Sequence, residues 1–112
     1  KYNSYNLYTK EGFLRSKNEI NFYMLCKKFN IKFFYENSYK DSTLKYDFYL
    51  IDYNLYIEIA GFMDKEDYVE KMFYKQETFN AIIVDIDNQY KLLESIINGN
   101  FDRNDYKIFP SS

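Results

Sequence analysis

Asp47 and Glu58 are the residues whose type and placement could do chemistry. Each interrupts an apolar or aromatic run, Tyr46-Asp47-Phe48-Tyr49-Leu50 and Tyr56-Ile57-Glu58-Ile59-Ala60-Gly61. A carboxylate inside such a run is costly to bury unless it is paired, hydrogen-bonded or bound to a cation. Two of them on neighbouring strands could share one divalent cation. Hard oxygen ligands at that spacing suit Mg²⁺ or Mn²⁺, which keep water in their remaining positions. A cation held this way activates water and offsets charge on a phosphate, which is the chemistry of phosphodiester hydrolysis.

The elements that must position these carboxylates are legible on either side. Residues 44–51 and 55–60 read as strands joined by the tight connection Asp52-Tyr53-Asn54. Side chains alternate along a strand, so Tyr56, Glu58 and Ala60 point one way and Leu55, Ile57 and Ile59 the other. Upstream, Ser16-Lys17-Asn18-Glu19 matches a capping box that opens a helix. Phe22, Leu25, Cys26 and Phe29 form its apolar stripe, and it is expected to end near Asn30. Residues 31–36 read as the first strand, ending on Glu36 as a solvated terminus.

Downstream, Asp64 is expected to cap a second helix running to about Phe79, with Tyr68, Met72, Lys75 and Phe79 on one face. Residues 81–86 form a nearly uninterrupted apolar run, which predicts a buried central strand. A helix precedes it, so it is expected parallel to the third strand. Asp87 is placed to cap a third helix over 88–98, with Gly99 as its stop, and 106–109 reads as a short terminal strand. Helices in this order against a mixed sheet predict an α/β domain, αβββαβα. Residues 1–12 read as an arm or linker before one domain at 13–112.

Composition narrows the classes. A chain of 112 residues with 46% hydrophobic content fits one folded domain. Fourteen Tyr and eleven Phe, beside many Asn, Lys and Ile, are read first as the bias of an AT-rich genome, a phage among the sources that fit. The net charge is −2 and the pI about 5.2, against the basic balance expected of a free-standing DNA binder. There is no histidine, which excludes Ser-His triads and histidine-ligated metals, and the single Cys26 excludes an internal disulfide or a cysteine zinc cluster. Cys26 falls in the apolar stripe and reads as a small core residue. With no apolar run near 18–20 residues and no visible signal peptide, an intracellular, reducing location and no membrane partner are expected.

The order helix, hairpin carrying an acid and then E-x-x-G, helix, apolar strand resembles the PD-(D/E)XK nuclease superfamily over roughly residues 13–87. Asp47 matches its first acidic residue, with Tyr46 where proline is commonest, and Glu58 matches the second. Phe13-Leu14-Arg15-Ser16-Lys17-Asn18-Glu19 resembles the first helix of phage junction-resolving endonucleases and very-short-patch-repair-like or homing-type nucleases. The resemblance implies a restriction-endonuclease-like fold and a Mg²⁺- or Mn²⁺-dependent deoxyribonuclease acting on duplex or branched DNA. It further implies Asp47, Glu58 and the Ile59 carbonyl as metal ligands, and Glu19 completing the site directly or through water.

Ala60 stands where the family carries its lysine. Three readings follow: a deliberate Lys→Ala replacement that leaves an inactive form, which is favoured here; a lysine supplied instead by the second helix, Lys71 or Lys75; or a naturally inactive domain. Arg15 and Lys17, with Lys71 and Lys75, are the candidate DNA-backbone contacts, although each pair also reads as a solvated stripe. Tyr2, Tyr5 and Tyr8 could stack on bases, a biased tail being the preferred reading. Lys1 in place of a start methionine and the acidic pI favour a domain of a larger protein over a homodimeric resolvase. The competing class is a nucleic-acid- or protein-binding module that keeps the fold without catalysis. A further alternative is accidental spacing, in which Asp47 and Glu58 would lie apart or on opposite faces.

Overall fold

The structure, a computed structural model, describes residues 7–110. Its centre is a four-stranded mixed sheet in the order β3-β4-β5-β6. The strands are β3 (Phe33–Tyr35), β4 (Phe48–Leu50), β5 (Leu55–Ile59) and β6 (Ile82–Val84). β3, β4 and β5 form the expected antiparallel meander, and β6 lies parallel to β5, pairing Glu58 with Ile83. Three helices, α1 (Lys17–Lys28), α2 (Glu66–Phe79) and α3 (Gln89–Asn98), complete the α/β domain.

Both faces of the sheet are covered, which explains why β6 is apolar throughout. On one face, Phe48, Leu50, Ile57 and Ile59 pack with Phe22 and Cys26 of α1 and with Leu92, Leu93 and Ile96 of α3. On the other, Tyr39, Tyr46 and Ala60 pack with Met72 of α2 and with Ile83. The alternation expected for β5 holds: its aliphatic residues enter the first core, while Tyr56, Glu58 and Ala60 face α2.

Several boundaries differ from those expected, each for a local reason. The lead-in expected over 1–12 is, from Leu7 onward, a hairpin of β1 (Leu7–Thr9) and β2 (Gly12–Leu14). The Thr9 hydroxyl accepts the Glu11 and Gly12 N–H groups and donates to the Gly12 carbonyl, closing a turn with no Asn-Gly signature. A domain boundary at residue 13 would split this hairpin. Gly12 is required there: at φ 150°, an added Cβ would sit 2.6 Å from the Tyr35 ring. Tyr2 and Tyr5, read above as part of the arm, lie outside the described residues.

β3 stops at Tyr35 because Glu36 turns left-handed, at φ 52°, with an exposed side chain. Asp64 does not cap α2; Lys65 holds the N-cap position without a side-chain bond. Asp85, not Asp87, accepts the Asn88 N–H at 3.0 Å in the 3₁₀ turn that leads into α3. Gly99 ends α3 in the left-handed conformation, as expected. The terminal strand expected at 106–109 does not form. A 3₁₀ turn covers Arg103–Tyr106, and the Ile108 amide and carbonyl then pair with the side-chain amide of Gln76 at 2.8 and 3.0 Å.

Candidate active site

Asp47 and Glu58 meet where the meander adjoins α2. The Asp47 carboxylate accepts the Ile59 N–H at 2.7 Å and shares a hydrogen bond with the Glu58 carboxyl. The two acids are therefore neither apart nor on opposite faces, as the accidental-spacing alternative expected them to be. Burial pushes the Asp47 carboxyl up to about 8. The neighbouring Glu58 and, less strongly, Glu19 charges push the same way, against the Ile59 N–H and Lys75. Burial and the neighbouring Glu58 thus favour the protonated form of Asp47 when no cation is present, with a proton shared between the two acids.

Glu58 is 2% exposed. Burial raises its pKa too, opposed by three partners: the Tyr39 hydroxyl, the Lys75 ammonium and Asp47. Lys75 Nζ lies 3.1 Å from Glu58 Oε2 and donates to the Lys45 carbonyl at 2.8 Å. Its chain is threaded through the second core beside the Tyr39 ring, 5.8 Å from the ring centre. Burial raises the Tyr39 phenol well above its ordinary range, keeping it a neutral donor to Glu58.

A third carboxylate borders this pair. The Ser16 hydroxyl accepts the Glu19 N–H at 3.1 Å, forming the first half of the expected capping box. The Glu19 side chain instead accepts the Tyr35 hydroxyl at 2.7 Å, and so faces the site. The Ile59 carbonyl accepts the Tyr68 hydroxyl at 3.2 Å, while that hydroxyl accepts the Gly61 N–H at 3.0 Å. Asn18 donates to the Ala60 carbonyl at 3.3 Å. Glu19, Ile59, Ala60 and Tyr68, with Ser16 and Phe62 among others, line an open cleft of about 390 Å³.

The four cations separate. Lys75 is buried against Glu58, whereas Lys71, one turn earlier on α2, is exposed. Arg15 and Lys17 are exposed at the start of α1, the Arg15 guanidinium lying over the Phe13 ring at 5.0 Å. Cys26 is buried in the first core, where burial pushes its thiol up, as a core role requires.

Among the described residues, no three His, Cys, Asp or Glu side chains converge as a metal cluster. The donors that do come together are the two adjoining carboxyls of Asp47 and Glu58. That set fits Mg²⁺, which takes one or two carboxylates and keeps its water. The sequence did not single out Tyr39, Tyr35 or Asn18. For the two tyrosines the only signal was the abundance of that residue, read first as the bias of an AT-rich genome, and Asn18 entered only as part of the capping box. Comparison of the chain with protein-family models, with curated proteins and with solved structures finds no match in any of the three.

Proposed function

We propose that this domain is a divalent-metal-dependent endonuclease of the PD-(D/E)XK type, hydrolysing phosphodiester bonds of DNA, with Lys75 in the role of the lysine absent at position 60. The observation that carries the reading is the Asp47–Glu58 pair with the Lys75 ammonium 3.1 Å away. Asp47, Glu58 and the Ile59 carbonyl would hold the cation, with Glu19 at its border. A divalent cation there acidifies water and stabilises charge on the phosphate. Lys75 favours the ionised form of Glu58 and places a positive charge beside the acids. Tyr39 and the Ile59 N–H orient the two carboxyls, and Tyr68 orients the Ile59 carbonyl.

Ala60 is compatible with this arrangement. It packs in the same cluster as Met72, which lies one turn before Lys75 on α2.

A second reading has its own support. Glu58 is 2% exposed and fully partnered, and no buried side-chain polar atom among the described residues lacks a hydrogen bond. A non-catalytic binding module would use the same cluster as a stabilising polar core. The test is cleavage of plasmid, linear duplex and four-way-junction DNA with Mg²⁺ or Mn²⁺ by the parent, Glu58→Gln, Lys75→Met and Ala60→Lys. Cleavage by the parent that both Glu58→Gln and Lys75→Met abolish supports the proposal. Cleavage by Ala60→Lys alone would show an inactive Lys-to-Ala form. No cleavage by any folded form would leave the binding module.

A further inference from the structure

Two places near the cleft carry large aromatic side chains at the surface. Phe62, on the loop after β5, lines the cleft and is 62% exposed, braced edge-on by Tyr68 at 5.8 Å. The β1–β2 hairpin, which leads through Arg15 into Ser16 on the cleft lining, carries Tyr8 and Phe13 on its outward face. Tyr8 is 81% exposed and stacks on Phe13, its cross-strand partner, at 4.1 Å. Arg15 lies over the Phe13 ring and directly precedes Ser16, which lines the cleft. The inward residues of the same hairpin, Leu7 and Leu14, belong to the core, so the outward rings are not needed to hold the hairpin down.

We infer that the cleft takes an unpaired stretch of nucleic acid, with bases stacked on Phe62 and on the Tyr8–Phe13 platform and the backbone running past Arg15 and Lys17. The inference rests on the phosphodiester reading of the site and specifies its substrate class. Three observations converge on it. Ring faces can stack only on bases whose own faces are free, and a continuous duplex hides them. The chain has net charge −2, against the basic balance of a binder that relies on phosphate neutralisation, and stacking supplies a term independent of charge. Lys17 lines the cleft and Arg15 directly precedes Ser16 on its lining, both at the start of α1, where the helix dipole also favours a phosphate.

The test is fluorescence anisotropy with a labelled 15-nucleotide single strand and the matching blunt duplex, in Ca²⁺ so that binding is read without depending on turnover. The single strand should bind the full chain at least about ten-fold more tightly than the duplex. Phe62→Ala and Tyr8→Ala should each weaken single-strand binding about five-fold or more, the loss expected for one stacked base. Phe62→Trp should retain it. Both alanine variants remove exposed rings, and circular dichroism should show them folded.

Equal or tighter duplex binding, no binding of either probe, or alanine variants with parental affinity would overturn the inference. Preference for the single strand without cleavage of any DNA would sink the nuclease reading and leave this one standing. Cleavage of duplex DNA with no single-strand preference would do the reverse.

Discussion

Lys75 is the residue on which the site turns, and Lys75→Met tests it directly. The substitution keeps the aliphatic path through the second core and removes the ammonium 3.1 Å from Glu58. Breaking a buried ion pair from one side costs about 3–5 kcal/mol, because the remaining charge is stranded. Glu58 keeps Tyr39 and Asp47 as partners and can take up a proton, so a cost somewhat below that range, about 2–3 kcal/mol, is expected. For a chain of 112 residues, each kcal/mol lowers Tm by roughly 4 °C, and a fall of about 10 °C follows. Urea unfolding with an unchanged m-value is the assay. Glu58→Gln/Lys75→Met should recover much of the loss, with a coupling of at least about 1 kcal/mol, since neither charge is then stranded. A cost below about 0.5 kcal/mol, or strict additivity, would refute the reasoning: Lys75 would then turn out to solvent and contribute nothing to the pair.

Two further outcomes are expected. The Asp47 carboxyl ionises at about 8 in the folded chain against an ordinary 3.8. The unfolded chain therefore holds fewer protons there above pH 4, and this group's contribution to stability is complete below about pH 4 and lost as pH rises to about 8. Metal-free stability of the parent relative to Asp47→Asn should fall across that window, while a parallel pH dependence of the two proteins would contradict the buried shared proton. Gly12→Ala should cost about 1–3 kcal/mol, because its Cβ would meet the Tyr35 ring at 2.6 Å in a conformation unsuited to L side chains. A thermal melt that matches the parent would show that the hairpin can shift at no cost.

The order of elements was readable because each has a local cause. Ser16 ahead of an apolar stripe opens α1, alternation around Glu58 sets the faces of β5, and an apolar run after a helix predicts β6 and its direction. Asp47 and Glu58 were readable for a related reason, as charges where the pattern demands apolar residues. The hairpin at Leu7–Leu14 was not, since only Leu7 and Leu14 turn inward and a three-residue strand leaves too little periodicity to detect. The terminal segment was misread because its backbone is satisfied by the Gln76 side chain rather than by a strand, a partner 32 residues away in the chain.

What the sequence by itself determined is therefore the order of the helices and central strands, the direction of β6 and the two acids that interrupt apolar runs; the structure placed those acids together. The tertiary structure alone decided which lysine reaches them. The sequence places Lys75 on the Tyr68, Met72 and Phe79 face of α2 but does not tie that face to the acids; its packing in one cluster with Ala60 and Ile83 buries Lys75 beside Glu58 and leaves Lys71 exposed. The tertiary structure likewise brought Tyr39 to Glu58 and the Ile59 N–H to Asp47. Those contacts join residues 19 and 12 positions apart, and no local propensity encodes a separation of that kind.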